Sequence, residues 1–150
     1  MKNIKKLAEQ FRKAMDIAKD LGDFNNNSTL CRFPCGCCTV ASGLLAQFLL
    51  ENDIRTYEFY GTYRDENEIQ SHEWLLTKDD IIIDITGDQF KYNPIFLNYD
   101  ATVYVGIMDD FHRLFKIEQD NFYENMGLAS FNVTVRQSLS MLYNKIISYV

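Results

Sequence analysis

The sequence predicts an α+β fold in which helices pack on an antiparallel sheet. Three observations lead there. Residues 2–21 and 136–149 repeat apolar side chains at helical 3–4 spacing. Residues 38–52 are apolar enough to form a helix inside the core. Residues 54–86 carry β-branched and aromatic side chains in short runs divided by polar turns, the pattern of paired strands. The chain of 150 residues is 47% hydrophobic and has no internal repeat, low-complexity tract or linker. A single domain, 1–150, is the expectation.

In order, the first helix presents Ile4, Leu7, Phe11, Ala14, Met15, Ala18 and Leu21 on one face, with Lys5, Lys6, Gln10, Lys13 and Asp20 outside it. Gly22 is a natural stop. Residues 23–29 form a polar loop whose asparagines are candidate side-chain donors near the thiols. Pro34 and Gly36 then turn the chain into a helix opening at Cys38, where Cys38, Ala41, Leu45 and Phe48 form one stripe. Strands are expected at 54–63, 69–76, 81–86 and 101–108, with a charged turn at 64–68 and an irregular stretch at 87–100. Residues 111–117 fit a strand or a helical turn, 120–126 a loop and 130–135 a short strand. The last helix places Leu139, Leu142, Ile146 and Tyr149 on one face.

Charge and composition exclude several classes. Net charge is −6 with a pI near 4.8, and no block of lysines or arginines is present, so neither nucleic acid nor an anionic membrane is an expected partner. The opening residues lack the apolar run of a signal peptide. A cytoplasmic protein is expected, with export lacking a signal peptide left open. All four cysteines (Cys31, Cys35, Cys37 and Cys38) fall within eight residues, which suits neither a disulfide framework nor paired zinc-ligand spacing. No metal and no cofactor are expected.

The chemistry concentrates in two stretches. A thiol in the first turn of a helix feels the positive end of the helix dipole, which favours thiolate. The unpaired N–H groups there suit an oxyanion. Burial as a small apolar filler is the commoner fate of a free cysteine. The second stretch runs from Ser71 to Thr86. His72, Trp74 and Leu76 share one strand face, and Ile82, Asp84 and Thr86 share another. A turn centred on Lys78 would set His72 directly opposite Asp84, about 5 Å apart at Cβ, with Trp74 opposite Ile82. Asp84 interrupts a run of isoleucines, where a carboxylate needs a partner. His112 lies among charged residues and is expected to be exposed.

These motifs in this order resemble the transglutaminase-like branch of the papain-like cysteine enzymes. In that branch Gly-x-Cys opens a helix, His-x-Trp lies on a strand and Asp-x-Thr follows on the next. Here these are Gly36 to Cys38, His72 to Trp74 and Asp84 to Thr86; Asp88, Gln89 and Phe90 also look like bacterial members of the branch. The resemblance covers about residues 33–90. It implies a papain-like core and a catalytic Cys38, His72 and Asp84, with Cys37 competing for the role of nucleophile. It also implies attack on a protein or peptide amide through a thioester. Water as acceptor would make a protease, amidase or deamidase; an amine would make a transglutaminase. A non-catalytic interaction domain on the same fold and a cysteine-rich thiol sensor or metal site built on residues 31–38 are the alternatives.

Overall fold

A computed structural model describes residues 2–117 and 122–150. Its first helix, α1 (Lys2–Asp20), buries Ala8, Phe11, Ala14, Met15 and Ala18 on the predicted face, although Leu21 beyond it is exposed. Gly22 ends the helix at φ +85°, so the Asp23 N–H reaches the Ala18 carbonyl and the Gly22 N–H reaches that of Lys19. Those paired bonds satisfy carbonyls that the helix end leaves open.

Helix α2 (Cys38–Glu51) is sheathed on most sides, burying Ala41, Leu44, Leu45, Phe48 and Leu49. Strands β1 (Thr56–Arg64), β2 (Ile69–Leu76), β3 (Ile82–Asp84) and β4 (Tyr104–Gly106) follow, with short β5 (Lys116–Ile117) and β6 (Glu124–Asn125). Helix α3 (Val133–Ile147) closes the chain. The three α-helices pack on an antiparallel sheet of order β4-β3-β2-β1-β5, with β6 also pairing with β1. Among the described residues no helix is long and apolar enough to cross a membrane.

The sheet separates two apolar layers. Leu75, Ile83 and Ile85 face the helices. Phe59, Trp74, Leu76 and Ile82 face a second layer with Phe90, Phe96, Phe111 and Phe115. Those four phenylalanines come from the irregular segments after β3, so this stretch is core in spite of its lack of long elements. Period-2 alternation does the sorting: one strand feeds both layers. His72 shares the Trp74 face and lies in the aromatic layer. Gly61 pairs with His72 across the strands, and a Cβ there would stand 2.8 Å from Phe115 Cβ; its bare backbone admits the ring that packs on the imidazole.

Four expectations are corrected. The 101–108 strand is confined to β4. Residues 130–135 are not a strand: a 3-10 turn (Gly127–Ser130) runs up to α3, whose start is capped by the Asn132 side chain accepting from the Thr134 N–H. Within the predicted 120–126 loop, Glu124 and Asn125 pair with Tyr57 and Thr56; residues 120 and 121 lie outside the described residues. The β2–β3 turn is centred on Asp79, not Lys78. Thr77 and Ile81 close a three-residue loop in which Asp80 takes φ +61°. The register therefore slides by two, setting Leu76 opposite Ile82 and Leu75 opposite Ile83. A slide of two keeps every face as predicted. Asp84 becomes the diagonal neighbour of His72 and not its direct partner, still within side-chain reach.

Candidate functional site

The turn before α2 is anchored from α1. Lys19 Nζ donates to the Phe33 carbonyl, and the Arg12 guanidinium lies 4.8 Å from the centre of the Phe33 ring. Gly36 takes φ +66°, a conformation that suits glycine, and delivers Cys37 and Cys38 to the helix start. The Cys37 side chain makes no capping hydrogen bond at that end. The two thiols differ sharply. Cys37 is buried, and burial, reinforced by the neighbouring Cys38 and Cys35 thiols, pushes it up to about 12. Cys38 is partly exposed and lies close enough to His72 to favour the charged imidazole. Of the pair, Cys38 is the more accessible and the one beside His72.

His72 and Asp84 meet as the residue types required, with His72 Nε2 2.7 Å from Asp84 Oδ2. The other carboxylate oxygen accepts the Thr86 N–H at 2.9 Å. Burial disfavours charge on both groups, yet their mutual attraction wins. Asp84 is held well below the usual carboxylate range by His72 and His112, and His72 rises to about 9. The ionised carboxylate offers only acceptors, so Nε2 carries a hydrogen towards it. Gln89 Nε2 stands 3.3 Å from Nδ1 and donates to the Thr86 carbonyl at 3.0 Å. Among the described residues this is the amide that reaches the imidazole; in the asparagine loop, Asn27 Oδ1 accepts from the Thr29 and Leu30 N–H groups.

His112 overturns its expected exposure. It is fully buried, edge-on to Trp74 with ring centres 4.7 Å apart, and its Nε2 lies 2.9 Å from the same Asp84 Oδ2. The charged neighbours Asp110 and Arg113 are misleading because they pair with each other at the surface. The available sequence signal was Phe111 and Phe115, whose aromatic rings bracket this turn and enter the core.

Arg12 is a second residue that the sequence reading missed. It buries its guanidinium in a two-pronged pair with Asp88, at 2.8 and 2.9 Å, and donates to the Ile85 and Thr102 carbonyls. Asp88 belongs to the 3-10 turn Gly87–Phe90 that carries Gln89. Thus α1 holds the segment beside His72.

His72, Asp84 and His112 each bring one potential metal-ligand atom within 4.8 Å of the other two. Two ligands on a tetrahedral zinc stand about 3.3 Å apart, given metal–ligand bonds of about 2.0 Å. The two N···O separations here are 2.7 and 2.9 Å, the spacing of shared protons.

Beside this group, Glu73 is buried on the opposite strand face and rises to about 7, chiefly through burial and then the neighbouring Glu58. Its protonated form adds stability that is full below about pH 4.5 and lost as pH rises through about 7. Charged His72 acts in the same direction, its contribution full below about 6.5 and lost through about 9. Asp84 acts oppositely, losing its contribution only in acid below about 3.9. Thermal melts should therefore show a maximum near pH 5 and a decline towards pH 9. Glu73→Gln should flatten the limb between pH 5 and 7 alone. A melting temperature that rises from pH 6 to 9 would contradict this assignment.

No protein-family model matches the chain, no curated protein matches it significantly, and no solved structure does so either.

Proposed function

We propose that the chain is a thiol-dependent hydrolase or acyltransferase, of peptidase, amidase, deamidase or transglutaminase type, with a papain-like core. Its substrate is a protein or peptide amide. The observation that carries this reading is the placement of His72, whose Nε2 is bound to buried Asp84 and whose ring also adjoins the Cys38 side chain. A general base needs both contacts, one to take the proton and one to orient the ring.

In the mechanism, His72 Nδ1 takes the Cys38 proton and the sulfur attacks the amide carbonyl carbon. The carbonyl π electrons move to oxygen, and the resulting oxyanion is met by the Cys38 backbone N–H at the helix start. Collapse reforms the carbonyl and breaks the C–N bond, with His72 returning its proton to the leaving amine. The acyl group remains on Cys38 as a thioester until water or a second amine resolves it. Asp84 keeps Nε2 protonated and stabilises the imidazolium throughout.

The test needs no knowledge of the natural substrate. With 4-nitrophenyl acetate, the protein should release a burst of nitrophenol and carry an acetyl group on Cys38, located by peptide mass spectrometry. His72→Ala should lower the acetylation rate by about 100-fold or more, the usual contribution of a positioned base. Acetylation of Cys31 and Cys35 in preference to Cys38 would refute the reading.

A further inference from the structure

We propose that His112 is held as an imidazolium between Asp84 and Asp109. There it serves as a positioning residue that keeps Asp84 ionised and aimed, and limits the charge that His72 draws from it. The functional half of this inference rests on the reading of His72 as the base.

The protonation state follows from counting donors. His112 Nε2 lies 2.9 Å from Asp84 Oδ2, and Nδ1 lies 2.6 Å from Asp109 Oδ1. Asp109 Oδ1 also accepts the His112 backbone N–H at 2.8 Å, and its Oδ2 accepts the Tyr99 hydroxyl at 3.2 Å. Asp84 Oδ1 accepts the Thr86 N–H. Both carboxylates are thus surrounded by donors, the environment of an ionised group, and both are held below the ordinary carboxylate range in spite of burial. Two ionised carboxylates have only acceptors to offer, so each ring nitrogen facing them carries a hydrogen.

The remaining polar groups around the ring agree. His72 approaches from β2 with ring centres 6.4 Å apart, Tyr104 from β4 at 5.0 Å, and Tyr99 at 5.7 Å. Burial raises both phenols above their ordinary range, so they remain neutral. Asp84 therefore serves two imidazoles through one oxygen. Positive charge on His112 opposes a second proton on His72, which keeps that proton available to the leaving amine. Asp109, at the end of the chain of hydrogen bonds, is the anion that holds His112 charged.

The chain has two histidines, so nitrogen-15 NMR of histidine-labelled protein gives two imidazole signal sets, each assigned by its absence in a single-site variant. His112 should show the two-proton pattern throughout pH 6–8. In His112→Gln, whose amide still donates to Asp84 but carries no charge, His72 should bind its second proton about tenfold more tightly. Asp109→Asn keeps an acceptor on Nδ1 and removes the anion, so His112 should lose its second proton at lower pH. A single-proton pattern on His112 at pH 6–7, or unchanged His72 proton affinity in His112→Gln, would overturn the proposal. Unaltered Cys38 acetylation in His72→Ala would instead sink the thiol chemistry while leaving the His112 spectrum as described.

Discussion

Arg12→Ala should destabilise the protein by about 3–5 kcal/mol, the usual cost of removing one partner from a buried ion pair. For a chain of 150 residues that is a fall in melting temperature on the order of 10 °C. The side chains of Arg12 and Asp88 are each only 7% exposed, and loss of the guanidinium strands the Asp88 carboxylate together with the Ile85 and Thr102 carbonyls. Lysine should rescue little, since one ammonium cannot reproduce a planar fork reaching both carboxylate oxygens and two carbonyls. The charge itself can be separated from the packing. Arg12→Leu combined with Asp88→Leu should be less destabilised than Arg12→Ala alone, because no buried charge is left unpaired. Additive losses in chemical denaturation of the two single changes and the double would contradict that account. The consequence reaches the site, because Asp88 fixes the turn that holds Gln89 beside His72. Surviving folded Arg12→Ala should therefore also show slower Cys38 acetylation.

The long elements were legible because their burial is periodic. Phe11, Met15 and Ala18 mark α1, Ala41, Leu45 and Phe48 mark α2, and alternation along 69–76 places His72 on the Trp74 face. Arg12 was not read as a core residue, although it stands four residues after Ala8 and three before Met15, in phase with both. A charged side chain carries no local signal of burial, and what offsets the burial of Arg12 lies 76 residues away at Asp88. The charged neighbours of His112 point to exposure, while the partner that offsets its burial is 28 residues distant at Asp84. Register failed at the β2–β3 turn because Lys78, Asp79 and Asp80 are all acceptable loop residues. Only the closed hydrogen bonds between Thr77 and Ile81 distinguish a centre at Asp79. The face prediction survived because a slide of two preserves the pleat.

His72→Ala should abolish the special reactivity of Cys38, and that loss bears most directly on the proposed chemistry. The decisive measurement is iodoacetamide labelling at pH 7 with the label located by peptide mass spectrometry, in the unaltered protein and in His72→Ala. Cys31 and Cys35 are more exposed than Cys38, so access alone would make them label first. A base at Cys38 reverses that order, because the thiolate is the reacting species. The account predicts that Cys38 labels fastest in the unaltered protein, Cys37 slowest, and that His72→Ala slows Cys38 at least tenfold (roughly 1.4 kcal/mol) while leaving Cys31 and Cys35 unchanged. Labelling that follows exposure alone, with Cys38 indifferent to the loss of His72, would contradict it.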